Sequence, residues 1–138
     1  MNDEQWKKAE EIVSCPYGIL RLKIDGYNIT VIMAHEKGLK YCLAVYVNGK
    51  IKGEWIVNDC EERRRFYHQV TKNTLTAKKK AEMIKTVGKR RFEKWVKENP
   101  ELYSYKYYEP YFGSFRTLKS HFVKNNESIE MVEKFDDE

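Results

Sequence analysis

Three cysteines and three histidines are the residues of this chain best suited to metal binding or nucleophilic chemistry, and their spacing argues against both. Zinc sites legible in a sequence use close ligand pairs, C-x-x-C or H-x-x-x-H. Here His35, His68 and His121 stand apart, as do Cys15, Cys42 and Cys60. No G-x-S-x-G elbow, Walker loop or dinucleotide fingerprint occurs. Cys60 and His68 fall on one predicted helix, where eight residues span about 12 Å, too far for a nucleophile–base hydrogen bond. Asp25, Glu36, Glu54 and Asp59 fall mostly near turns and strand ends, without the clustering that metal-dependent hydrolysis requires. The expectation is no metal, no cofactor and no enzymatic activity, with a small hydrolase as the weakest alternative.

Cations are the stronger signal. Arg63-Arg64-Arg65, Lys78-Lys79-Lys80 and Lys89-Arg90-Arg91 are three basic triplets on predicted helices. Three consecutive helical residues spread around the axis, so no triplet faces one ligand as a whole. Lys78, Lys85 and Lys89 recur at intervals of seven and four, which puts them on one face of a single long helix, diluted by Glu82 and Glu93. Such a face either tracks phosphates or is simply solvated. Between Tyr103 and Phe115 lie seven aromatic residues, with Lys106 and Arg116 close by. Aromatic rings beside cations can stack on unpaired bases, although Tyr103, Tyr105 and Tyr107 equally suit one face of a sheet. Tyr108 and Tyr111, flanking Glu109-Pro110, are the expected exposed pair and would serve a protein interface as well.

The elements that must position these groups are readable in part. Trp6, Ala9, Ile12 and Val13 form one face of a helix over 3–14. Apolar residues then alternate at Leu20, Leu22 and Ile24, at Ile29, Val31 and Met33, and at Tyr41, Leu43, Val45 and Val47. Asp25-Gly26, Lys37-Gly38 and Asn48-Gly49 separate the runs, and Ile51 to Val57 reads as a return strand. The pattern predicts a four-stranded antiparallel meander from Leu20 to Val57 with helices on one face. Asp59 and Glu62 form a capping box for a helix over 59–70, whose Glu61 and Glu62 stand one turn before Arg64 and Arg65. A longer helix over 76–98 presents Ala77, Ala81, Ile84, Gly88, Phe92, Trp95 and Val96 inward, with Gly88 able to kink or split it. Tyr103 to Tyr107 alternates as a strand, Ser114 caps a helix with Phe115, Leu118 and Phe122 inside, and Ile129 to Val132 makes a short last strand. The fold class is α+β, one domain over 1–138, with a frayed acidic tail from 133.

The net charge of +5 is unevenly placed. Residues 61–99 hold thirteen basic and five acidic side chains, whereas 100–138 hold five and eight. An asymmetric field of this kind favours a polyanion or an acidic protein surface as partner. An odd number of unpaired cysteines indicates a reducing compartment. The acidic opening Met1-Asn2-Asp3-Glu4 and the lack of a long apolar run give no signal peptide or membrane span, so the expected location is a bacterial cytoplasm.

Two stretches carry a resemblance. Asn58-Asp59-Cys60-Glu61-Glu62-Arg63-Arg64-Arg65-Phe66-Tyr67 follows the Val-Asn-Gly hairpin, and Tyr111-Phe112-Gly113-Ser114-Phe115-Arg116-Thr117-Leu118-Lys119-Ser120-His121 comes later. Over about 20–132 the chain resembles small phage- and prophage-encoded proteins of unassigned function. The resemblance implies accessory viral biology of an anti-defence, anti-CRISPR-like kind, with a host defence protein or ribonucleoprotein as partner. It brings no site residues with it. Inhibitors of that kind are usually acidic mimics of nucleic acid, and the basic middle of this chain departs from them, favouring contact with RNA, DNA or an acidic protein patch. The alternative is a stand-alone nucleic-acid-binding phage protein.

Overall fold

The computed structural model describes residues 1–35 and 40–136. The expected turn at Lys37-Gly38 lies outside the described residues. In chain order the elements are α1 (Asp3–Val13), β1 (Ile19–Ile24), β2 (Tyr27–His35), β3 (Tyr41–Val47), α2 (Gly53–Val57) and α3 (Glu61–Phe66). There follow β4 (His68–Asn73), α4 (Ala77–Val87), α5 (Lys89–Glu98), α6 (Pro100–Tyr103) and β5 (Ser104–Glu109). The chain ends with β6 (Tyr111–Phe112), α7 (Phe115–Asn125) and β7 (Ile129–Val132). The fold is α+β, and it divides into two compact units: Met1–His68 with Tyr108–Glu138, and Gln69–Tyr107.

The first unit is built on a five-stranded antiparallel sheet in the order β6-β3-β2-β1-β7. Asp25 (φ 47°) and Gly26 (φ 90°) are both left-handed, as a two-residue hairpin turn demands, and Asn48 (φ 52°) with Gly49 (φ 79°) repeats the pair. These turns fix a register in which Leu20, Leu22, Ile24, Ile29, Val31, Val45 and Val47 are fully buried. They share one cluster with Ala9 and Val13 of α1, Phe66 of α3 and Tyr67 just after it, and Leu118 and Phe122 of α7. Each such aliphatic side chain contributes roughly 1.5–3 kcal/mol by leaving water. Asn2 opens α1 with a reciprocal capping box: its Oδ1 accepts from Gln5 N at 2.9 Å, and Gln5 Oε1 accepts from Asn2 N at 3.0 Å.

Three sequence expectations are corrected in this unit. The fourth meander strand does not form: after a single bridge between Val47 and Lys50 the chain turns into helix α2, within which Trp55 and Ile56 pack on the core. The place beside β3 belongs to β6, where Phe112 pairs with Leu43 and Val45 N donates to Pro110 O at 2.9 Å. The helix expected over 59–70 stops at Phe66, because Tyr67 is extended and His68 starts a strand that includes Val70. Asp59 does not cap it, since both carboxylate oxygens accept from Arg64 at 3.0 Å. In the acidic tail Phe135 is buried, and Lys23 Nζ reaches Asp136 at 3.1 Å.

In the second unit β4 and β5 pair as a two-stranded sheet. Thr74 ties the strand end to the α6 turn, its Oγ1 donating to Leu102 O at 2.7 Å and its N to Tyr103 O at 2.7 Å. Gly88, at φ 90° and ψ 148°, divides the expected long helix into α4 and α5. Only the achiral residue reaches that backbone region at low cost. Phe92 is the one buried side chain among residues 69–107, Ile84, Trp95 and Val96 are half-buried, and Ala77 and Ala81, expected inside, are exposed.

Candidate nucleic-acid interface

Net positive charge is confined to one unit. Residues 69–107 hold eleven Lys and Arg against four Glu, while the remainder of the chain holds fifteen against seventeen acidic residues. Within the basic unit the cations sit where helix electrostatics disfavours them. Thr76 caps α4, accepting from Lys79 N at 3.2 Å, and Lys78, Lys79 and Lys80 fill the first turn without any acidic residue. Lys89, Arg90 and Arg91 fill the first turn of α5, again without an acidic residue, and Gly88 supplies no side-chain cap. A helix N-terminus carries about half a positive charge, so cations there cost stability and anions gain it. Both helices are therefore left short of negative charge at the same end.

The break at Gly88 also changes which cations share a face. Lys78 and Lys85 remain one above the other on α4, both exposed, but the phase of α4 does not carry into α5, so Lys89 leaves their row. On α5 the exposed row opposite Phe92 is Arg90, Lys94 and Lys97, at intervals of four and three. The sequence reading missed this row. Ending the helix at the glycine and restarting the count there would have found it. Lys94 has a weak, exposed partner in Glu98 at 4.0 Å.

The arginine triplet behaves differently. It occupies the last turn of α3, where cations are favoured, and each member has an internal partner. Arg64 forks onto Asp59. Arg65, with its side chain 26% exposed, reaches Asp25 at 2.6 Å, Glu61 at 2.8 Å and Asn126 Oδ1 at 3.1 Å. Asp25 also accepts from the backbone N of Glu127 and Ser128 at 2.9 Å, and these bonds, with Arg65, hold its carboxyl below the ordinary range. Arg63 lies over the Tyr108 ring at 3.6 Å, a cation–π contact. Tyr108 is consequently half-buried, while Tyr111 and Arg116 are exposed. The exposed tyrosine of the aromatic segment that the sequence did not single out is Tyr105, whose ring lies 6.0 Å from that of Tyr107.

Two histidines far apart in sequence meet the same ring. His68 stacks on Phe112 at 4.2 Å and its Nε2 contacts Tyr111 O, while His121 lies 5.6 Å from Phe112. Burial, then the neighbouring His68, lowers the His121 pKa. Burial pushes the Tyr67 hydroxyl up to about 12, so it stays protonated. Among the described residues no three His, Cys, Asp or Glu side chains converge as a metal site, and no helix is long and apolar enough to cross a membrane. None of the three cysteines forms a disulfide. No family model, curated protein or solved structure matches the chain.

Proposed function

We propose that this chain is a binding protein whose unit 69–107 engages the phosphate backbone of a nucleic acid. The observation that carries this reading is the pair of consecutive helices whose first turns each hold three cations and no anion. Such an arrangement opposes the helix dipole, and a ligand's phosphates supply the missing negative charge. The arginine triplet of α3, by contrast, is spent on internal partners. The phage resemblance directs the reading to a host defence nucleoprotein or nuclease, with the chain acting as an anti-defence inhibitor on its RNA or DNA. The test is affinity purification from a bacterial lysate with and without nuclease, paired with fluorescence anisotropy on labelled oligonucleotides. Direct oligonucleotide binding, together with a defined nucleoprotein recovered without nuclease, supports the proposal. A chain that binds no oligonucleotide, and whose protein partner survives nuclease treatment unchanged, overturns it in favour of a protein-only interface.

A further inference from the structure

The second unit contains a half-enclosed pocket between α4 and α5 whose chemistry is two-sided. Ile84, Phe92, Val96 and Tyr103 form an apolar floor, and Lys80, Lys89 and Glu93 stand at the rim. Its volume is about 250 Å³, just below the ~300–1,000 Å³ of sites for drug-sized ligands. That size suits one planar ring system better than a whole nucleotide. Phe92 and Tyr103 meet edge to face at 6.0 Å, and the Lys80 ammonium lies 6.0 Å from the Phe92 centroid.

Resting on the nucleic-acid reading above, we propose that this pocket takes a single unstacked base of a single-stranded nucleic acid, with Lys80 and Lys89 on the phosphates either side. The rim explains the polarity of entry. Two ammoniums outnumber one carboxylate, so the backbone stays at the mouth, and Glu93 accepts from a base N–H rather than facing a phosphate. The half-buried Tyr103 supplies the accessible ring of the floor, with Phe92 packed behind it, and ring contact on single strands favours binding without regard to sequence. Lys80 and Lys89 each belong to one of the helix-opening triplets, so the pocket lies where both triplets come to the surface beside aromatic rings. A duplex, with its bases paired, cannot fill the pocket.

The test compares two oligonucleotides of equal length and charge, one normal single strand and one fully abasic. The unmodified chain is expected to bind the normal strand about five- to 150-fold more tightly, the range that stacking of one base on an aromatic ring supports. Val96→Phe, which adds a ring into the empty space, should abolish that difference while leaving the abasic strand's affinity and salt dependence unchanged. Equal binding of both strands by the unmodified chain overturns the base pocket and leaves the phosphate-binding reading intact. Failure to bind either strand overturns both. Retention of the full preference in Val96→Phe, folded by circular dichroism, places base contact elsewhere and also overturns the proposal.

Discussion

Reversing the charges at the start of α5 should strengthen the fold while removing the function. In Arg90→Glu/Arg91→Glu, both substituted positions are exposed and lie in the first helical turn. Each charge near a helix N-terminus is worth about 0.3–1 kcal/mol, unfavourable for a cation and favourable for an anion. Taking the lower end for solvent-exposed sites, reversing two charges gains roughly 1 kcal/mol. Arg90 also stands one turn before Lys94, so a like-charge pair becomes a Glu-to-Lys pair in its better orientation, adding about 0.5 kcal/mol. The residues of α5 should then exchange their amide hydrogens roughly five- to thirtyfold more slowly at low salt, a gain of about 1–2 kcal/mol in opening free energy. Oligonucleotide affinity should fall steeply in the same variant. Faster exchange with unchanged affinity would refute the reasoning, because the native cations would then be paired and stabilising.

Gly88→Ala should cost about 1–3 kcal/mol, since alanine at φ 90° and ψ 148° is strained, and should favour one continuous helix over 77–98; chemical denaturation with helix content by circular dichroism reads both effects. Gly18→Ala should destabilise the first unit strongly, because its added Cβ would stand 1.8 Å from Ile12 O, a backbone atom that cannot swing aside; the readout is the thermal midpoint. The lowered pKa of His121 means that the folded chain binds fewer protons than the unfolded chain below about pH 6.5. Its contribution is therefore present above that pH and is lost as pH falls from 6.5 toward the folded value. Denaturant midpoints should drop between pH 7 and 5.5, with a shallower drop in His121→Gln.

The parts of the fold readable from sequence were those governed by local chemistry. Asp25-Gly26 and Asn48-Gly49 each hold two left-handed residues, and the alternation around them put β1, β2 and β3 in place. Ser114 capped α7 as its position before Thr117 indicates. What escaped was decided by distant partners. Trp55-Ile56-Val57 has strand-forming composition, but Phe112, more than fifty residues away, takes the neighbouring place on β3. Asp59 is a good capping residue diverted to Arg64. The candidate site was legible as charge and only half legible as geometry. The triplets were visible, but treating Gly88 as part of one helix joined Lys89 to Lys78 and Lys85 and concealed the row Arg90, Lys94 and Lys97. The pocket at Lys80 and Lys89 depends on how α4 and α5 pack, which no periodicity within either helix contains.

The central claim is that exposed cations of residues 69–107 neutralise phosphates, and the salt dependence of binding tests it most directly. Affinity for a single-stranded oligonucleotide should be measured across salt concentrations for the unmodified chain and for Arg90→Gln/Lys94→Gln/Lys97→Gln. Counterion release gives a log–log slope of about −0.7 per neutralised phosphate on single strands. The triple variant should flatten the slope by about two units, while exposed substitutions of this kind leave stability within about 0.5 kcal/mol each. A triple variant with the same affinity and the same slope as the unmodified chain would contradict the account and reduce the row to an ordinary solvated helix face.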